Sequence, residues 1–268
     1  MARITLIEIW IYPIKSLGGI RVTSARVLPK GLRFDRRWML IDEAGVFITQ
    51  RIHSNMAFFK LSVSKEVFTI HFKDEYIELP GNAPVATTPI SAVVWDDPVT
   101  VFEVVGEYSR WFSKRLGVNC RLVYFPEDNQ RPVDENFRID NDQVSLADGY
   151  PFLIIGKSSL DDLNGRLANP VPMNRFRPNF VFGGGEPYEE DHWRNFAIGK
   201  NRFAGVKPCG RCVLTTVNQE TAEKGSEPLA TMATYRKLNT KINFGQNLLA
   251  IDYDEVHEGD EIKLDDAK

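Results

Sequence analysis

Lys207-Pro208-Cys209-Gly210-Arg211-Cys212-Val213-Leu214-Thr215-Thr216-Val217 is the stretch from which the rest of the chain is read. Pro208 and Gly210 punctuate a short loop, and the β-branched, apolar run Val213–Val217 predicts that the loop opens a strand. Two of the chain's three cysteines lie here, with Lys207 and Arg211 close by in sequence. Neighbouring cations favour a thiolate, the form that binds metal or attacks an electrophile. Four readings fit such a C-x-x-C. It could be an inert, buried pair at a strand start. A structural zinc site needs four Cys or His ligands, but the remaining cysteine is Cys120, and His53, His71, His192 and His257 contain no closely spaced pair. A thioredoxin-like pair belongs where an early strand runs into a helix, whereas this one comes late and faces a predicted strand. The fourth reading is one thiolate ligand to a metal whose other ligands come from an organic cofactor. The stretch alone does not choose among them.

Moving outward, 268 residues suffice for one large or two small domains without covalent staples. A net charge of −3, with acids and bases nearly balanced, argues against a dedicated nucleic-acid or membrane-surface protein. Three cysteines suit a reducing compartment. Met1–Tyr12 is apolar but broken by Arg3 and Glu8, and it alternates as a strand does, unlike a signal peptide or spanning helix. The expectation is a soluble, cytoplasmic protein with no stable nucleic acid and no membrane partner.

The first half is strand-rich. Apolar or alternating runs fall at Ile4–Ile11, Ile20–Leu28, Trp38–Ile41, Val46–Thr49, Phe58–Val63, Val67–Phe72, Val93–Trp95 and Val99–Val105. Turns separate them at Gly18-Gly19, Pro29-Lys30-Gly31, Glu43-Ala44-Gly45 and Pro80-Gly81-Asn82. A helix is predicted at Tyr108–Leu116, closed by Gly117, with Trp111, Phe112 and Leu116 on one face. Cys120, on a strand Cys120–Phe125, reads as a small buried residue. The polar, Pro-containing Pro126–Asn141 sets a boundary, giving halves 1–125 and 126–268, although such a segment also suits a lid. Later strands are expected at Phe152–Ile155, Phe196–Ile198, Arg202–Val206, Leu248–Tyr253 and Glu261–Leu264. Helices are expected at Leu160–Leu167, with Ser158 or Ser159 as its cap, and at Ala233–Lys237. The fold class is therefore mainly β with a few helices, in two β-barrel-like halves.

Several polar clusters do not fit a plain β pattern. Tyr12-Pro13-Ile14-Lys15-Ser16-Leu17-Gly18-Gly19 ends a strand in a loop able to form an anion-binding nest. Phe34-Asp35-Arg36-Arg37-Trp38 places two guanidiniums at a strand start, where alternation sends at most one inward. Asp148 lies in a turn before the strand at Phe152. Asn174-Arg175-Phe176-Arg177-Pro178-Asn179-Phe180 sets charged heads beside an apolar strand, which is costly without partners. Gly183-Gly184-Gly185 has no following helix and reads as a turn, not a dinucleotide loop.

Taken together, Cys209-Gly210-Arg211-Cys212 with Thr215-Thr216-Val217, Glu227-Pro228-Leu229 and Phe244-Gly245-Gln246-Asn247 resembles the MOSC (molybdenum cofactor sulfurase C-terminal) family, nearest its amidoxime-reducing components and bacterial reductases of N-hydroxylated compounds. The Y-P-x-K-S, D-R-x-W and F-R-P-N motifs extend the resemblance over nearly the whole chain, and Gly259-Asp260 resembles the hairpin that closes the MOSC barrel. The resemblance implies a MOSC N-terminal barrel followed by a MOSC barrel, and a molybdenum cofactor (Mo-molybdopterin) in the cleft between them. It implies phosphate or pterin contacts from Lys15, Ser16, Arg36, Arg177, Asn179, Gly210 and Arg211, and a metal thiolate from Cys212, with Cys209 the alternative. Asp148 becomes the proton donor or hydrogen-bonding group near the metal. The implied reaction removes oxygen from small N-hydroxylated substrates. The electrons would come from a separate ferredoxin- or flavoprotein-type donor, since three cysteines cannot hold a plant-type [2Fe–2S] centre. A non-catalytic carrier of cofactor or sulfur is the alternative.

Overall fold

A computed structural model of the chain describes residues 3–265. The molecule is mostly β, and its largest sheet has nine strands. In spatial order these are Ile262–Leu264, Asn195–Ile198, Asn201–Gly210, Lys241–Ala250, Phe152–Gly156, Phe180–Gly183, Thr5–Ile11 and Ile20–Val22, with Lys237–Leu238 added on Lys241–Ala250. One pair in this sheet, Phe152–Gly156 with Phe180–Gly183, is parallel. Parallel pairing requires a long crossover, and this one contains the helix Lys157–Arg166. Thr5–Ile11 pairs with Phe180–Gly183, so a strand from the start of the chain completes a sheet otherwise built largely from its second half.

Three smaller sheets complete the architecture. Trp38–Ile41, Arg121–Tyr124, Asp97–Val104 and Val85–Val94 form one, and the meander Phe59–Ser64, Val67–Phe72 and Glu75–Pro80 another. In the third, Glu255–His257 pairs with Ser24–Leu28, which pairs with Gly31–Leu32, again joining the two ends of the chain. The main core is continuous across both halves, with Leu6, Trp38, Phe59, Phe112, Phe152, Phe180, Phe203 and Leu248 among its members.

Strand existence follows the expected pattern closely, as at Trp38–Ile41 and Val67–Phe72, and Cys120 is buried. The helix Tyr108–Leu116 ends on Gly117 with φ +73°, the left-handed conformation expected of a glycine cap. Some expectations are overturned. Val213–Thr216 is a short 3₁₀ turn rather than a strand. The hydroxyls of Thr215 and Thr216 donate to Cys212 O at 3.0 Å and Val213 O at 2.8 Å, so local bonds replace a sheet ladder. The strand instead precedes the motif, running through Pro208 to Gly210, and register shifts accommodate the proline's missing donor.

Ser158 and Ser159 do not cap the following helix. It begins at Lys157 after extended Gly156, and Ser159 Oγ is committed to Glu190 at 2.9 Å and 3.0 Å. The short helix expected at Ala233–Lys237 lies at Leu229–Ala233. Val46–Thr49 makes only isolated bridges, Phe47 to Ile41 and Val46 to Val93. The residues around Gly259-Asp260 turn, but the strands on either side join different partners, so no hairpin forms there.

Candidate functional site

Three loops from distant parts of the sequence are stitched into one wall. Lys15 N–H donates to Trp38 O at 2.7 Å, Arg36 N–H to Tyr12 O at 2.9 Å, and Leu146 N–H to Arg36 O at 3.1 Å. Asn179 N–H donates to Leu153 O at 2.8 Å, and Trp10 N–H to Asn179 O at 2.8 Å, locking the F-R-P-N segment between two strands. The cysteine loop faces this wall, held by Arg211 N–H to Ile242 O at 2.7 Å. Gly19 lets the first loop close, because a Cβ there would lie 2.5 Å from the Tyr12 ring.

Between them lies a cavity of about 120 Å³ that opens beside a larger groove of about 630 Å³. Lys15, Ser16, Arg36, Asp148, Arg177, Asn179, Cys209 and Arg211 line the cavity. Cys209, Gly210, Arg211 and Cys212 line the groove, together with Asp148. The structure thus brings all the sequence-predicted site residues to two adjoining spaces.

Arg36 and Arg37 are not disposed as strand alternation suggests. Arg37 is buried against Glu127, while Arg36 turns into the cavity, so both leave the surface. The strand starts only at Trp38, and Arg36 sits at φ +49°, outside the β region. Ser16 at φ +68° and Arg177 at φ +57° share this left-handed backbone. Each such non-glycine residue costs about 1–2 kcal/mol, a strain that gathers at sites held by their surroundings.

The charges are unbalanced. Five cationic side chains line the cavity (Lys15, Arg36, Arg51, Arg177 and Arg211) against one carboxylate, Asp148. Arg36 is held by Asp35 at 2.6 Å, behind the cavity wall. Arg177 is buried and donates to Leu17 O at 2.6 Å, and burial drives its pKa down to about 10. Its guanidinium and that of Arg36 each lie 4.3 Å from the Tyr12 ring centroid. Arg211 donates to Cys209 Sγ at 2.9 Å and Phe176 O at 2.6 Å. Its Nε and the Tyr150 hydroxyl, both shielded from solvent, have no partner among the described residues. Cations gathered in this way are costly unless an anion joins them, so the cavity suits an anionic, hydrogen-bond-accepting group. Arg forks suit phosphate in particular.

Lys15 Nζ donates to Asp148 at 2.6 Å and to Leu146 O at 2.7 Å, leaving one of its three protons for a ligand. Burial lowers its pKa to about 8 against the opposing pull of Asp148. Surrounding protein pushes the Asp148 pKa up, but Lys15 and Arg51 together outweigh this and hold the carboxyl well below its ordinary range. Asp148 is therefore ionised at neutral pH. It accepts hydrogen bonds here, and the proton-bearing neighbour is Lys15.

Arg51 and Trp95 belong to the site without having been singled out in the sequence. Arg51 Nε donates to Cys212 Sγ at 3.2 Å and another of its nitrogens to Asp148 at 2.6 Å, while Trp95 Nε1 donates to Asp148 at 3.3 Å. Nothing in Thr49-Gln50-Arg51 marks it from any exposed arginine at the end of an apolar run. Among the described residues no three His, Cys, Asp or Glu side chains gather as a metal cage. Nor is any helix there long and apolar enough to cross a membrane.

Comparison with known proteins matches residues 3–119 to the MOSC N-terminal beta barrel domain and residues 141–263 to the MOSC domain. Mitochondrial amidoxime-reducing component 1 of Mus musculus is 35% identical over 246 residues, spanning 87% of this chain and 71% of that protein. Its Homo sapiens counterpart is 33% identical, covering 87% and 72% respectively. Molybdenum cofactor sulfurase of Oryza sativa subsp. japonica is 30% identical across 96% of this chain, which corresponds to 33% of that longer protein.

Proposed function

The chain belongs to the MOSC family, and from that premise we propose that it is a molybdenum-cofactor-dependent reductase of small N-hydroxylated compounds, drawing electrons from a separate donor protein. Amidoximes, hydroxylamines and N-hydroxylated bases are the substrate class. The observation that carries this reading is the cavity with five cations and one carboxylate abutting the Cys209–Cys212 loop. It is supported by relatives named as amidoxime-reducing components and molybdenum cofactor sulfurases.

Lys15, Ser16, Arg36, Arg177, Asn179 and Arg211 would hold the cofactor's phosphate and pterin, with Gly210 allowing close backbone approach. Cys212 would supply the protein's sulfur ligand, with Cys209 as the alternative. When bound, the cofactor supplies two-electron redox chemistry and affinity for the substrate oxygen. The net change breaks an N–O bond, consumes two electrons and two protons, and releases water. Asp148, ionised and half exposed at the groove, accepts a hydrogen bond from the substrate N–O–H and orients it. The Lys15 ammonium, 2.6 Å behind it, is the proton store. Of the two roles the resemblance implied for Asp148, proton donor or hydrogen-bonding group, this reading takes the second.

Metal analysis and an ultraviolet-visible spectrum of purified protein test the cofactor, and benzamidoxime turnover with a chemical reductant tests the reaction. Molybdenum with pterin and turnover are expected. Absence of molybdenum overturns the reading. Loading without turnover favours the second reading, a carrier of cofactor or sulfur, which draws on the match to molybdenum cofactor sulfurase across almost all of this chain.

A further inference from the structure

No motif singles out Arg51, yet its side chain lines both the cavity and the groove and touches the two groups on which the proposed chemistry rests. We propose that Arg51 is a positioning residue for the reduction inferred above, on which this inference rests. It holds the Asp148 carboxylate in place beside the Cys212 sulfur and withdraws electron density from that sulfur.

The geometry is specific. Arg51 Nε donates to Cys212 Sγ at 3.2 Å, one terminal nitrogen to Asp148 Oδ2 at 2.6 Å, and the other to Thr49 Oγ1 at 3.2 Å. Because a guanidinium is planar and rigid, these donors set the spacing of sulfur and carboxylate, which a lysine's point charge cannot do. The guanidinium carbon lies 4.6 Å from the Trp95 ring centroid, so the indole serves as its platform. Trp95 itself is 47% exposed and sits at φ +58°, two costs that a merely structural tryptophan would avoid. Its Nε1–H also reaches Asp148 Oδ1, so platform and fork grip the same carboxylate.

The backbone here is anchored without the Arg51 side chain. Lys224 Nζ donates to Arg51 O at 2.9 Å and Ile52 O at 3.2 Å, and Ile52 N–H donates to Thr49 O at 3.0 Å. Truncating Arg51 therefore removes the fork and leaves the loop. A hydrogen bond to a ligand sulfur draws charge from the metal and raises its reduction potential, and loss of such an outer contact commonly costs 10–100-fold in activity.

The test uses the loaded protein with Arg51→Ala and Arg51→Lys, measuring molybdenum content, the Mo(V) signal in an EPR-monitored redox titration, and kcat against KM. Arg51→Ala should retain most of its molybdenum, titrate at a more negative potential with an altered signal, and lose about 10–100-fold in kcat with KM little changed. Arg51→Lys, which keeps the charge but loses the fork, should fall between. In an Asp148→Asn background, Arg51→Ala should cost much less. An unchanged potential and signal in Arg51→Ala overturns the inference, as does full additivity with Asp148→Asn. Should Arg51→Ala fail to load, an Arg51→Lys protein with the parent's potential and kcat overturns it equally. A parent protein without molybdenum overturns the functional reading and this inference together.

Discussion

At the scale of single residues, the two thiols of one loop differ in what they face. Cys212 Sγ receives Arg51, which also holds Asp148, whereas Cys209 Sγ receives Arg211 from its own loop and packs against apolar residues. Cys212→Ser should abolish reduction and lower molybdenum content, while Cys209→Ser should keep both within a few-fold. Metal loss on Cys209→Ser with retention on Cys212→Ser reverses the assignment. Asp148→Asn preserves shape but loses the charge that Lys15 and Arg51 share. It should load with cofactor and turn over poorly, and full activity in that variant removes Asp148 from the reaction. Lys15 carries a stability signature as well. Its pKa falls from 10.5 unfolded to about 8 folded, chiefly through burial. Between those values the unfolded chain binds a proton that the folded chain does not, so stability rises with pH across this window and the penalty is complete below it. The penalty is on the order of 3 kcal/mol. Urea denaturation of cofactor-free protein should show the parent gaining on Lys15→Met as pH rises from 8 toward 10.5. A pH-independent difference between the two proteins contradicts this.

At the scale of elements, three loops supply most of the cavity's polar lining, and their left-handed residues are held by what surrounds them. Arg36 and Arg177 both flank Tyr12, whose amide donates to Asp35 at 2.8 Å and whose hydroxyl donates to Pro178 O at 3.1 Å. The ring thus splints the D-R-x-W and F-R-P-N segments against each other. Arg36→Ala and Arg177→Ala should lower the molybdenum-to-protein ratio far more than they lower kcat per molybdenum. The opposite split, full loading with slow turnover, would move both residues into the chemistry. Gly19→Ala drives a methyl into the Tyr12 ring, and overpacking of this kind costs about 1–3 kcal/mol. Its thermal midpoint should fall and its cofactor content with it; an unchanged midpoint shows that the loop can yield.

For the whole molecule, the site depends on chain ends that meet. Thr5–Ile11 is built into the sheet of the second half, and the buried side chains of Gln50 and Gln219 exchange hydrogen bonds at 2.9 Å and 3.3 Å. The proposed reduction also needs a supply of electrons. The 268-residue chain has three cysteines, one of them the proposed metal ligand, and a plant-type iron–sulfur centre needs four. NADH with this chain alone should therefore give no amidoxime reduction, whereas a chemical reductant, or an added ferredoxin or flavoprotein system, should. Sustained NADH-driven turnover by this chain alone contradicts the proposal of a separate donor.

The sequence by itself determined the β class, because period-2 runs such as Val67–Phe72 and punctuation such as Gly117 act locally. Through the family resemblance it also pointed to Lys15, Arg36, Arg177 and Cys212, which the fold brings to the cavity and groove, because each lies in a short motif that can be matched without its spatial neighbours. What only the tertiary structure decided are the features set by contacts across the chain. Val213–Thr216 curls rather than extends because threonine hydroxyls take up local carbonyls, against its strand propensity. Arg36 and Arg37 both leave the surface because a left-handed turn, not a strand, carries the first of them. Asp148 is held as an acceptor by Lys15, 133 positions away, and by Arg51, 97 away. Arg51 enters the site because folding sets its guanidinium between a sulfur and a carboxylate that no sequence spacing connects to it.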